Sequence, residues 1–347
     1  MMKTFLALSI TVISFLIFNS CDTTEPIADE ITPGRRDYTW TIDTLNYPNA
    51  TLSRIWGSSP TDVWATSPGD WDKSISHYDG EKWSSYGVSG MNVPSSIYGF
   101  SSTDIYIGTM GGGIWHYDGG SWTKIVELTK DGHSDIVFSD IWGETTTDFY
   151  ISGAYPDSII GAYNNSVIAH YYNEEWTLLT SVGLVGIVGH FFKCTINNKF
   201  YIETYRLGGS LHPDSSLIFE YSGGKYNEIY SSIWTKGLQA SISLIDGEVY
   251  FILGNKIAKR ESDAFQTFLQ VDNSNFYQRI WGRNSKDIFL GMTDGLAHYN
   301  GSDVEYLLDL SKNKILVGGA ALFEKEVFFM VYESSTNLNL IYHGKLN

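Results

Sequence analysis

Residues 55–83 read IWGSSPTDVWATSPGDWDKSISHYDGEKW, and the order of their parts decides the fold. Ile55-Trp56-Gly57 is a short apolar phrase closed by the polar turn Ser58-Ser59-Pro60-Thr61-Asp62. Val63-Trp64-Ala65 follows, then a third run ending at His77-Tyr78, the pair Asp79-Gly80, and Trp83. Asp-Gly between two strand-like runs is a hairpin signal, because glycine reaches positive φ without a Cβ clash. The stretch therefore predicts four short antiparallel strands.

The same order recurs along the chain. Further copies open at Ile97-Tyr98-Gly99, Ile141-Trp142-Gly143, Ile187-Val188-Gly189 and Ile280-Trp281-Gly282, with worn copies near Ile242 and Val317. A period of about 40 to 45 residues means repeated supersecondary units rather than one irregular core. The second strand of each unit is apolar at every position: Ile105-Tyr106-Ile107, Phe149-Tyr150-Ile151, Phe200-Tyr201-Ile202, Val249-Tyr250-Phe251, Ile288-Phe289-Leu290 and Val327-Phe328-Phe329. Such a strand is covered on both faces. A sandwich would alternate, with one wet face, and a helical solenoid would show a 3.6-residue period; neither pattern is present.

Four-stranded units packed radially make an all-β, seven-bladed β-propeller, with six or eight blades left open by the worn fifth and seventh units. The chain ends predict how the ring closes. Leu340-Ile341-Tyr342-His343-Gly344 runs to Asn347 with no fourth strand after it, whereas Tyr38-Thr39-Trp40-Thr41-Ile42 is a stray strand with Trp40 in the role of Trp83. The N-terminal strand is therefore expected to complete the last blade and remove an open edge.

The repeat phrase resembles that of secreted bacterial propellers of the Bacteroidota lipoprotein type. It is distantly similar to bacterial neuraminidase and Asp-box repeats. The resemblance implies a propeller acting as a binding platform. The N-terminus fits it: Lys3 precedes a 14-residue apolar run, Phe5 to Phe18, and then Asn19-Ser20-Cys21. That run is short for a transmembrane helix and has the form of a secretory signal. It resembles a lipoprotein signal, which implies a signal peptide over 1–20 and lipidation at Cys21. Phe18 and Asn19 depart from the usual leucine and small residue of that signal. Residues 21–37, polar and acidic with Pro26 and Pro33, are expected to be a flexible tether, and 38–347 the propeller. The expected location is the cell envelope, as an outer-membrane lipoprotein facing the surface or the periplasm, with the lipid as its sole membrane attachment.

Composition excludes more than it selects. With 23 Lys and Arg against 39 Asp and Glu, the net charge of −16 provides no basic stripe for nucleic acid. Cys194, in an apolar strand, is the one cysteine besides Cys21, so no disulfide forms within the domain. His77, His116, His170 and His298 share one repeat position, filled by Glu220, Lys259 and Ile341 elsewhere. Equivalent positions lie around a ring, which indicates packing or bonding between blades rather than a cluster. No pair has metal-ligand spacing, and no metal or cofactor is expected. The acids before strand two, from Asp62 to Glu326, suit polar turns. Arg54 and Arg279 occupy one matching position and could point toward the channel, but sialidase chemistry lacks its third arginine.

Function is then sought where the repeat breaks. The loops between strands two and three, and between blades, open on one face. Two are long: 154–165, with Tyr155, Asp157 and Tyr163, and 206–215, with His212 and Asp214. Asp70, Trp71 and Asp72 on the first unit and His133 on an inter-blade loop join them. Aromatic rings beside carboxylates suit sugar or peptide recognition. The expected function is a non-catalytic platform for an extracellular protein or glycan. The alternatives are a glycan-active hydrolase or lyase using the loop acids, and a scaffold subunit of an envelope complex.

Overall fold

A computed structural model describes residues 31–45, 53–68, 71–234 and 239–347. Cys21, the signal segment and most of the expected tether lie outside the described residues. The described residues form seven four-stranded antiparallel sheets. Blade 1 is Arg54–Ser59, Asp62–Thr66, Ile75–Tyr78 and Trp83–Tyr86, in the strand order read from the sequence. The inner strands of blades 2 to 6 are Pro94–Ser101, Val137–Thr145, Ile187–Cys194, Ala240–Ile245 and Phe276–Asn284. Blade 7 consists of Ile315–Leu322, Glu326–Glu333, Leu338–Leu346 and, outermost, Tyr38–Leu45. The protein is a seven-bladed β-propeller closed by its own N-terminal strand.

The motif residues have separate physical jobs. Second-strand residues such as Val63, Ile105, Phe149, Ile202, Phe251, Ile288 and Val327 are fully buried between adjacent sheets. The motif glycine lets the preceding blade approach. A Cβ on Gly99 would stand 2.5 Å from the Trp56 ring of blade 1, and one on Gly282 would meet Ile245 of blade 5 at 3.0 Å. Cys194 is buried, as its apolar neighbours suggest.

Closure is clamped where the ends meet. Tyr38 to Leu45 pairs residue by residue with Leu346 to Asn339. Arg283 of blade 6 joins three elements: its Nε donates to Asp287 (2.5 Å), Nη2 to the Tyr38 hydroxyl (2.7 Å) and Nη1 to the Phe323 carbonyl (2.6 Å). The segment before Tyr38 is also held. Gly34 N donates to Lys286 O at 2.8 Å, and Arg36 reaches His298, Asp303 and Glu305. The end of the expected tether is thus docked on blade 6, because Arg36 meets carbonyls and carboxylates that repeat patterns do not reveal.

Two repeat alignments shift. In blade 4 the ladder pairs Phe191 with Ile202 and Phe192 with Tyr201, so the motif equivalent is Phe191-Phe192-Lys193. Ile187-Val188-Gly189 lies upstream, beyond a bulge, and matches by composition only. In blade 7 the equivalent is Ala320-Ala321-Leu322, a few residues past Val317. Likewise His343, opposite Phe328, holds the shared histidine position assigned above to Ile341.

Candidate functional site

The repeated histidines turn out to be scaffold, by a different bond from the one expected. Each pairs within its own blade with the acid that opens strand two. His77 Nε2 donates to Asp62, His116 to Asp104, His170 to Asp148 and His298 to Asp287, all at 2.8 Å, and His343 to Glu326 at 2.7 Å. The imidazole also lies on the strand-two ring, with centroids 3.8 Å apart for Trp64–His77 and Phe328–His343. Blade 5 keeps the scheme with Lys259 on Glu248 at 2.5 Å. Blade 4 reverses it: Lys199 opens strand two and Glu220 sits opposite, 3.1 Å apart. The acid positions are therefore not merely turn formers. Burial pushes the carboxyls of Asp62 and Asp287 up, yet the hydrogen bonds from His77, Ser58 and Trp64 to the one, and from His298 and Arg283 to the other, together outweigh it and hold both below the usual range.

The loop candidates are mostly engaged by their own loops. Asp157 accepts from Ile159 N, Ile160 N and Asn164, which lowers its pKa; Asp214 accepts from Gly208 N at 2.8 Å. Tyr155 ends a strand and is buried, so it is no exposed platform. Its hydroxyl donates to Asp131 at 2.6 Å and is pushed up to about 12, chiefly by burial and then by that carboxylate. His133 packs on the Tyr155 ring with centroids 5.0 Å apart. Tyr163 is half-buried, and the ring of His212 faces the Pro213 carbonyl at 3.2 Å. Asp72 is exposed on the short helical turn Trp71–Lys73 of blade 1, while Asp70 lies outside the described residues. Asp157 and Asp214 are therefore not a ready acid and base pair.

Sequence reading did not single out what these loops do present. Asn164 accepts from Leu207 N and donates to its carbonyl, and Gly186 N donates to Asn164 O. Three loops of blades 3 and 4 are thereby stitched into a ridge. Their tips carry Ile159, Val182 and Leu211, exposed by 79%, 85% and 63%.

A second locus is the central channel, a cavity of about 330 Å³ lined by the inner strands of all seven blades. At one level stand Arg54, Asp140, His190, Ser241, Arg279 and Gly319, each one place before the motif isoleucine or its equivalent. Arg54 and Arg279 do line the channel. Arg54 Nη2 donates to Gly189 O at 3.1 Å, while its Nε stands 3.9 Å from Asp140. His190 lies between two acids, 3.5 Å from Asp140 and 4.0 Å from Glu203. Glu203, with 0% exposure, accepts from Ser241 Oγ at 3.2 Å. Burial opposes the charge on Arg279, but Tyr205 and Glu203 outweigh it and raise its pKa. Asp140 and His190 escaped sequence reading because they fall at a position that other blades fill with arginine, serine or glycine, and Glu203 because it lies within the apolar second strand, opposite His190. Aligning residues one place before each motif isoleucine would have exposed Asp140.

No family model and no curated protein matches the chain. Solved structures do. YCF48 bound to D1 peptide superposes with a TM-score of 0.61 at 15% identity, over 90% of this chain and 99% of that one. A catalytically inactive virginiamycin B lyase from Staphylococcus aureus, with quinupristin, gives 0.63 at 13% identity, over 89% and 100%. The extracellular domain of a two-component system from B. thetaiotaomicron gives 0.58 at 14%, over 87% of this chain and 39% of that one. At these identities the likeness is one of fold. Neighbours on this fold include both binding proteins and a lyase.

Proposed function

We propose that this propeller is a non-catalytic platform that binds a polypeptide partner outside the cytoplasm, held to the envelope through a lipid on Cys21. The observation that carries the reading is the ridge on blades 3 and 4. Ile159, Val182 and Leu211 stand in water on loops whose polar groups are committed to holding them in place. Apolar tips on a pre-ordered frame suit a protein surface or extended peptide, because burial of those tips releases water at little ordering cost. YCF48, a neighbour on this fold, is bound to D1 peptide, which supports a polypeptide as the class of partner. Glycan hydrolysis by Asp157 and Asp214 is less well supported, since both carboxylates already accept backbone hydrogens.

The test is site-specific photocrosslinking from position 182 in the full chain on intact cells. A polypeptide adduct that disappears in the Ile159→Asp, Leu211→Asp double variant supports the reading. Adducts unaffected by those changes, or turnover of a polysaccharide by the purified protein, would overturn it. The anchor has its own test: Cys21→Ser should release the protein in soluble form, and unchanged membrane retention would sink that part.

A further inference from the structure

The channel carries a separate inference, independent of the ridge. Six of the buried side-chain polar atoms that find no hydrogen-bond partner among the described residues lie on the two innermost strands. They include Arg54 Nε, His190 Nδ1 and Glu203 Oε1, together with the hydroxyls of Thr66, Ser152 and Thr204. Thr66 stands directly across the ladder from Arg54, and Ser152 from Asp140. Two of these residues, Arg54 and His190, line the cavity, and the other four stand one strand behind it. Buried polar atoms without partners are rare in folded proteins, so the pair at the wall marks a place where hydrogen bonds remain to be made.

The charges say what kind of molecule would make them. The cationic side chains arise from blades 1 and 6, on either side of blade 7, where Gly318 and Gly319 contribute no side chain. The acids Asp140 and Glu203 arise from blades 3 and 4, and Arg54 reaches toward them, its Nε 3.9 Å from Asp140. A purely anionic ligand would meet Asp140, and a purely cationic one would meet two guanidinium groups. Only a ligand of both signs finds complements for each. Trp56, Trp142 and Trp281 line the same cavity and offer apolar wall to whatever joins the two charges. The volume of about 330 Å³ falls at the small end of ligand pockets.

We propose that the channel binds a small zwitterion of the free α-amino acid or short-peptide class. Arg54 and Arg279 receive its carboxylate, with Asp140 facing its ammonium and Glu203 behind the wall, beside His190 and Ser241. His190 and Ser241 adjust the hydrogen bonding between the two ends. Arg54 Nε has no hydrogen-bond partner among the described residues, and a guanidinium group can donate to a carboxylate through more than one N–H.

The test uses the protein carrying the whole ring, by thermal shift and calorimetry, with free amino acids, dipeptides, and the same compounds acetylated or amidated. Saturable binding of an uncapped compound, weakened about tenfold or more by capping either end, is the expected result. Preference for single amino acids over dipeptides, or the reverse, identifies which member of the class is meant. Arg279→Gln and Asp140→Asn should each weaken that binding while leaving the partner captured by the ridge unaffected. Equal binding of capped and uncapped compounds, or no binding by any of them at millimolar concentration, would overturn the proposal. The capping series needs no variant, so a misfolded mutant cannot obscure the answer.

Discussion

The molecule sets imidazoles against carboxylates at two radii. Toward the rim, each histidine of the repeat position donates to its acid at 2.7 to 2.8 Å and packs against an aromatic ring of strand two. At the channel, His190 stands 3.5 and 4.0 Å from its acids, and Arg54 stands 3.9 Å from Asp140. The chemistry is the same; the completeness differs. A satisfied pair inside a blade fixes two strands and has little capacity left for a ligand. A loosely paired set around a cavity keeps that capacity. Distance and saturation, more than residue type, separate scaffold from candidate site here.

Removal of residues 38–45 tests the rim most severely, because it strips the outer strand from blade 7 and the Tyr38 hydroxyl from Arg283. The melting temperature should fall by at least about 10 °C. An unchanged melting curve would refute the closure described above.

Next in size is Asp287→Ala. It leaves fully buried His298 and the guanidinium of Arg283 without their shared acid, and should cost about 3–5 kcal/mol by denaturant titration. Glu203→Gln at the channel provides the counterpart. Its carboxylate is buried and incompletely paired, so removal of its charge should change stability by less than about 1 kcal/mol, or raise it. Equal losses at the two sites would erase the distinction between rim and channel.

Blade 4 sharpens the rim side. Lys199→Asp places a third acid beside Glu220 and Asp263 and should destabilise by about 1 kcal/mol, given partial exposure. Adding Glu220→His restores the order found in the other blades and should recover most of that loss. A double-mutant cycle with no coupling would show that the reversed pair does not act as one unit.

The smallest effect is one of pH. Burial pushes His343 below its ordinary 6.5, against the pull of Glu326. The unfolded chain therefore binds that proton more readily than the folded one. The contribution is fully present above pH 6.5 and is lost as pH falls from there through the lower folded value. Asp62 and Asp287 lose theirs only below about 3.8, so a decline between pH 6.5 and 5 would come from histidine rather than from these acids. Replacing His343 with Asn should flatten that part of the curve. An unaltered slope would assign the decline to another group.

Ring architecture was legible because burial on both faces leaves a mark on every second strand, and Asp-Gly or Asn-Gly marks the hairpins. Even the closing strand could be read, from a tryptophan without a unit at one end and a unit without a fourth strand at the other. Blade 4 was misaligned because Ile187-Val188-Gly189 imitates the motif, whereas the true equivalent, Phe191-Phe192-Lys193, carries a lysine in place of glycine. Tyr155 looked like an exposed loop aromatic because nothing local says that Asp131, on another loop, would receive its hydroxyl.

By itself, then, the sequence determined the repeat, the fully buried strands and the closure of the ring, all of which follow from periodic apolar residues and local turn chemistry. Only the tertiary structure decided which histidines are saturated and which are not, and which acids serve their own loops. It also decided that residues from blades 1, 3, 4, 5 and 6 share one channel. The reason is geometric: closing the ring brings side chains hundreds of positions apart to a common axis, and no spacing along the chain records that meeting.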